Sequence, residues 1–130
     1  MIVVDCSVVV DALTRRELGW LRRRLSGRTL HAPALLDYEV LSAIRGLALG
    51  GALSAARATD AVGDFGDLQI RRQQATGALR ADAWRLRDRM TSYDASYVAL
   101  ARALDAPLWT LDVRLDRAAA GEVEVVVPRE

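Results

Sequence analysis

The stretch Met1-Ile2-Val3-Val4-Asp5-Cys6-Ser7 decides how the chain is read. Three β-branched residues follow one another without polar alternation. That is the pattern of a strand buried on both faces, as in a parallel sheet between helices. The run stops at an acid. In open α/β sheets the functional crevice lies just beyond the carboxyl ends of the strands, so Asp5 is expected at its rim. Leu108-Trp109-Thr110-Leu111 repeats the arrangement and also stops at an acid, Asp112.

Outward from that stretch, strands and helices alternate. Ser7 is expected to cap a short helix through Val8 and Leu13. A second helix is expected over Arg15 to Leu25 and ends at Ser26-Gly27. Thr29 to Ala32 reads as a strand, and Pro33 is placed to start a helix running to Leu49. Leu36, Val40, Ala43, Ile44 and Leu47 form its apolar stripe. After Gly50-Gly51, Ser54 caps a fourth helix through Val62. Asp64-Phe65-Gly66-Asp67 reads as a loop and Leu68-Gln69-Ile70 as a brief extended piece. Ala78 to Met90 forms a fifth helix, and Thr91 to Asp94 opens a sixth, with Tyr97, Leu100, Ala101 and Leu104 inward. Leu115 to Ala119 gives a short helix, and Val123 to Val127 a last strand closed by Pro128. Alternation of this kind argues for a single α/β domain over residues 1–130, built on a parallel sheet in three layers.

The 130 residues suffice for one hydrophobic core. Apolar and charged contents of 52% and 27% are ordinary for a globular protein. No apolar run approaches the roughly 20 residues that span a bilayer, and no signal-type segment is evident, so a cytoplasmic protein with no membrane partner is expected. The single Cys6 excludes an internal disulfide and a cysteine-based zinc site, and reads as an inert, buried thiol. His31 reads as structural. The net charge of +1 gives no bulk electrostatic case for nucleic acid. All 18 basic residues are Arg, the better phosphate-reading cation, although Arg22-Arg23-Arg24 and Arg71-Arg72 read as solvated faces.

Four acids stand out by position. Asp5 and Asp112 follow buried strands, Asp94 lies in the first turn of a helix, and Glu39 flanks a core-facing stripe, where a carboxylate is costly unless paired or bound to a metal. Each also has a plain structural explanation: Asp5 and Asp112 as helix caps, Asp94 as a first-turn acid, Glu39 as a partner of Arg45 or Arg102. Strand ends of one polarity open on one edge of a parallel sheet. The helix begun by Asp94 precedes the strand that ends at Asp112, so as a simple crossover its first turn is expected at the opposite edge, unless the helix tilts across the sheet. If the four converge, their repulsion calls for a hard divalent cation, and an all-oxygen set suits Mg²⁺ or Mn²⁺. Such a site serves phosphoryl chemistry, with one metal or with a second about 4 Å away.

Met1 to Ser7, Tyr38-Glu39-Val40, Tyr93-Asp94-Ala95-Ser96-Tyr97-Val98-Ala99-Leu100-Ala101 and Leu108-Trp109-Thr110-Leu111-Asp112 with Leu115 stand in order and spacing that resemble PIN-domain ribonucleases, in particular the VapC toxins of bacterial toxin–antitoxin pairs. The resemblance covers essentially the whole chain. It implies a three-layer α/β/α domain with a mostly parallel sheet of four to five short strands, and one pocket in which Asp5, Glu39, Asp94 and Asp112 serve as catalytic and metal-binding acids. Ser7 and Thr110 become polar neighbours that orient water or carboxylates, and Asp116, one turn beyond Asp112, a further outer ligand. Cys6 stands where Thr or Asn is more usual in the family.

The resemblance implies a Mg²⁺- or Mn²⁺-dependent endoribonuclease acting as a toxin, cutting RNA phosphodiesters to leave a 3′-hydroxyl and a 5′-phosphate. Arg85, Arg87, Arg89 and Arg114 are candidates to hold the RNA backbone. The implied partners are a cognate antitoxin and a second copy of the chain. The alternative within the fold is a PIN-like module that binds RNA or protein without cutting. A phosphoacceptor receiver module is opposed by the lack of any Lys.

Overall fold

The computed structural model describes residues 1–130. Its centre is β1 (Ile2–Val4), every residue of which is buried. It is flanked by β2 (Leu30–Pro33) and β4 (Leu108–Trp109), with β3 (Ile70–Gln73) and β5 (Val125–Val126) at the edges, in the order β3-β2-β1-β4-β5. All four pairings are parallel, with Val3 opposite both His31 and Leu108. The carboxyl ends of all five strands therefore open on one edge.

The helices are α1 (Cys6–Thr14), α2 (Gly19–Leu25), α3 (Leu36–Leu49), α4 (Ala55–Asp67), α5 (Gly77–Arg85), α6 (Ser92–Leu104) and α7 (Val113–Ala119), with a 3₁₀ turn at Arg16–Leu18. α1 packs on α2, α3 and α4. α6 pairs with α5 and lies across β1, β2 and β4. The result is the expected three-layer α/β/α arrangement. Thirty buried residues form one continuous core, with Tyr97 and Leu36 among its largest members.

Local boundaries differ from expectation for identifiable reasons. Asp5, not Ser7, caps α1, its carboxylate accepting from the Val8 N–H. Pro33 ends β2 instead of opening α3. Residues 64–67 are helical, because Phe65 is buried together with Ala58 and Ala61 on one face of α4; that burial outweighs the loop preference of Asp and Gly. α5 stops at Arg85, where Leu86 turns fully into the core. Arg72 is more than a solvated cation: it grips both oxygens of Asp37 at 2.9 and 3.2 Å and lies over the Phe65 ring, tying β3 to α3 and α4. Gly51, at φ +81°, makes the left-handed turn between α3 and α4.

The expected position of Asp94 is corrected by the topology. α6 delivers the chain to the amino end of β4, so it runs antiparallel to the strands and must begin at their carboxyl edge. No tilt is needed. Its first turn lies on the same edge as Asp5 and Asp112.

Candidate active site

Asp5 directly follows β1 and is 5% exposed. Its Oδ1 accepts from the Ser7 hydroxyl at 2.6 Å and the Val8 N–H at 3.3 Å, and its Oδ2 from the Thr110 hydroxyl at 2.7 Å. The same two hydroxyl oxygens accept the N–H groups of Leu111, at 2.9 Å, and Asp112, at 3.0 Å. Ser7 and Thr110 thus fasten the loop after β4 to the end of β1, as polar neighbours of Asp5. Burial raises the Asp5 carboxyl above the usual range. The hydrogen bonds oppose this, and the charge of Asp112 adds to it.

Glu39 projects from the first turn of α3, which starts at the carboxyl edge after β2. Its Oε1 accepts from the Tyr97 phenol at 2.6 Å. The expected partners Arg45 and Arg102 play no part; Arg102 bonds to Asp82 and Glu122 instead. Burial raises the Glu39 carboxyl, the Tyr97 hydrogen bond lowers it, and the charges of Asp5 and Asp94 raise it further. Asp94 stands in the first turn of α6, whose cap Thr91 accepts the Asp94 N–H at 3.1 Å. Burial raises its carboxyl too; Arg114 pulls it down and Asp112 pushes it up. Asp112 caps α7, its Oδ1 taking the Arg114 and Leu115 N–H groups. The capping explanations for Asp5 and Asp112 hold, and they coexist with a shared electrostatic site.

Repulsion runs around a closed ring: Asp5 with Asp112 and Glu39, Glu39 with Asp94, Asp94 with Asp112. One guanidinium answers it. Arg114 lies 3.5 Å from Asp94 and 3.3 Å from Asp112, and no other cation is within 4.0 Å of the four carboxylates. As the side chains stand, no three ligand-type residues are drawn together tightly enough to hold an ion. With Asp94 and Asp112 turned toward Arg114, the set is splayed. The donor chemistry nonetheless fits a hard divalent cation: every donor is a carboxylate oxygen, four negative charges face one positive, and Glu39 Oε2 is not engaged in any hydrogen bond.

Other expectations divide. Of the candidate RNA-binding cations, only Arg114 reaches the acids. Arg85 and Arg89 bond to Glu122, and Arg85 also to Asp82. Arg87 lies over the Trp84 ring. Asp116 stays outside the ring, joined to Asp112 only through its backbone N–H. Cys6 is half-buried, its thiol pushed up to about 12 chiefly by burial, which keeps it inert at neutral pH. His31 is buried and faces Gln73, a structural position. The periodicity of α6 places Tyr97 only in the core. Its phenol was the available signal, since a buried Tyr hydroxyl needs a partner and Tyr97 sits one helical turn beyond Asp94.

Residues 2–121 match the family model of the PIN domain. The ribonuclease VapC9 of Mycobacterium tuberculosis is 38% identical over 130 residues, covering 99% of this chain and all of that protein. Ribonuclease VapC1 of the same organism is 40% identical, covering 98% and 97%. Among solved structures, VapC20 of M. tuberculosis, described as a sarcin-ricin loop cleaving toxin, superposes with a TM-score of 0.67 at 18% identity, covering 95% of this chain and 99% of that one. The VapBC2 complex of Rickettsia felis, bound to a DNA fragment from its promoter, gives 0.69 at 12% identity, covering 97% and 98%.

Proposed function

This chain belongs to the PIN domain family, and from that premise we propose that it is an endoribonuclease, the toxin half of a toxin–antitoxin pair. The VapC relatives are named ribonucleases and are matched over nearly their whole length; the structural neighbours include toxin–antitoxin complexes. We read residues 1–130 as a single PIN domain that acts on RNA in the cytoplasm, binds a cognate antitoxin and pairs with a second copy of itself. No helix is long and apolar enough to cross a membrane.

The observation that carries this reading is the uncompensated ring: Asp5, Glu39, Asp94 and Asp112 against one Arg. Glu39, Asp94 and Asp112 would hold a divalent cation, Mg²⁺ or Mn²⁺, with Asp5 completing the set. When bound, that cation neutralises the phosphate and lowers the pKa of water. The rest falls to this chain. Ser7 and Thr110 fix Asp5 and the start of α7 in one orientation, and the Tyr97 phenol holds Glu39. With Oε1 held by Tyr97, Glu39 keeps Oε2 free to hold the cation or to take the proton from the attacking water. Attack in line at phosphorus breaks the bond to the 3′-oxygen, leaving a 3′-hydroxyl and a 5′-phosphate. Arg114, freed from Asp94 and Asp112, can contact a phosphate oxygen. Single-stranded or looped RNA is the expected substrate, since its bases can be splayed out.

Incubation with total RNA tests this. Cleavage is expected with Mg²⁺ or Mn²⁺ and absent with chelator or in Asp94→Asn. RNA binding without any cut under all metal conditions would favour a non-cleaving module.

A further inference from the structure

At the same carboxyl edge of the sheet as the acid ring lies an open, largely apolar cleft of about 390 Å³ between the start of α3, the end of β3, α5 and α6. The reading of the chain as a nuclease assigns it no role. Its apolar walls include Leu35, Leu79, Ala83, Leu100 and Trp84, whose side chain is 65% exposed. Exposed Trp84 is continuous with these apolar walls, so the two form one apolar patch open to water, the kind of surface that binds a partner or ligand.

The cleft shares two structural supports with the acids. Ser92 and Ser96 line it from the face of α6 opposite Asp94, while the Leu35 carbonyl accepts the Glu39 N–H at 3.2 Å. A group seated here is therefore held by the same helix starts that place the acids. The polar lining is neutral or positive: Gln73, Gln74, the two serines and Arg80, with no acid among the lining residues. Arg80 has no acidic partner, bonding only to the Ala75 carbonyl. Arg87 likewise bonds only to a carbonyl, with its guanidinium 4.9 Å from the Trp84 ring centroid. Unpaired cations around an aromatic platform complement a polyanion that carries flat rings. Neutral amides and hydroxyls suit the hydrogen-bonding edges of a base. A volume of this size lies in the range of small-ligand sites, about 300–1,000 Å³.

We propose that this cleft is a nucleobase subsite: an unpaired base of the RNA strand, next to the phosphate being cut, stacks on Trp84 while Arg80 and Arg87 meet the adjoining phosphates. The inference rests on the endoribonuclease reading and extends it to what selects the cleavage position.

The test uses the full chain carrying Asp94→Asn, so that RNA survives, and a fluorescein-labelled single-stranded oligoribonucleotide of mixed sequence, read by anisotropy. Adding Trp84→Ala is expected to weaken binding about tenfold, the loss of one base–aromatic stack. Trp84→Phe should keep most of the affinity, and the same RNA annealed as a duplex should not respond to either change. The exposed position of Trp84 leaves the fold intact, which circular dichroism verifies. Unchanged RNA affinity in Trp84→Ala overturns the proposal. So does unchanged affinity with lost self-association or lost antitoxin binding, which would assign the cleft to protein. Cleavage of the same oligonucleotide by the unmodified chain with Mg²⁺ separates the two readings. If it cuts and Trp84→Ala binds normally, only the subsite fails; if it never cuts, the nuclease reading fails first.

Discussion

The molecule carries two concentrations of charge, balanced in opposite senses. At the carboxyl edge of the sheet four carboxylates face one exposed guanidinium, Arg114. Toward the end of α6, Glu122 and Asp82 are held by Arg85, Arg89 and Arg102, so that three cations serve two acids. The effect on the acids is opposite. Glu122 is held below the ordinary carboxylate range, first of all by its hydrogen bonds from Arg85. All three of Asp5, Glu39 and Asp94 are pushed above it, first by burial and then by neighbouring acids: Asp112 for Asp5 and Asp94, and Asp5 and Asp94 for Glu39. Matched charge ties α5, α6 and the segment after α7 together. Unmatched charge stores a demand that only a proton or a cation from solution meets.

Several changes would break or sharpen this contrast. The largest effect is expected at the acid ring. Asp94→Asn should lower RNA cleavage by at least about 100-fold with a thermal midpoint equal to or above that of the parent, because a repelled charge is removed. An active mutant would remove Asp94 from the site. Asp5→Asn should be as inactive but less stable, by about 1 kcal/mol, since two hydroxyls now donate to its carboxylate.

Tyr97→Phe comes next. Loss of the phenol bond to Glu39 should cost about 10-fold in rate and move the acid limb of the pH–rate profile upward, because that bond lowers the Glu39 pKa. A rate loss with an unmoved profile would make Tyr97 mere packing.

Glu122→Gln tests the matched cluster. It should destabilise the fold by about 1 kcal/mol, discounted for the exposure of its arginine partners, and leave cleavage per folded molecule unchanged. Urea unfolding and a cleavage assay on the same preparation decide this.

Stability against pH should show both groups at once. The folded chain binds protons to Asp5, Glu39 and Asp94 that the unfolded chain has already released. Stability therefore rises as pH falls from neutrality through their raised range. Glu122 acts conversely: its contribution, present above the unfolded pKa, is lost as pH falls through its depressed folded value. The thermal midpoint should pass through a maximum on the mildly acidic side, and Mg²⁺ should raise it more at pH 7.5 than at that maximum. A midpoint that only climbs toward alkaline pH would contradict the sign of the acid ring. The smallest effect is expected from Arg114→Gln, which removes the competitor for Asp94 and Asp112 and should tighten Mn²⁺ binding a few-fold, measured by calorimetry.

The parallel sheet and its acid-tipped strands were legible because they rest on short-range facts: unbroken β-branched runs followed by Asp. Asp5 and Asp112 are placed on one edge by their strands alone, whereas Asp94 joins them only once the direction of α6, antiparallel to the strands, is fixed by the fold. Tyr97 illustrates what was not legible. Periodicity assigns its ring to the core correctly, but says nothing of where the hydroxyl ends, since Glu39 is 58 residues away. The arginines failed in the same manner. Arg85 and Arg89 read from sequence as candidates to hold an RNA backbone, but Glu122, more than thirty residues on, meets them in the fold. The helical state of residues 64–67 was hidden for a related reason, being set by burial of Phe65.

The bond from Thr110 to Asp5 joins two side chains 105 residues apart. β1 likewise waits for β4 to complete one of its two flanks. A ribosome making this chain therefore exposes Asp5, Glu39 and Asp94 well before the partner that orients the first of them exists. A chain halted before Thr110 carries three of the four acids and no assembled centre. Chain order thus makes assembly of the acid ring depend on the segment from β4 to the start of α7, the last of its parts to be made.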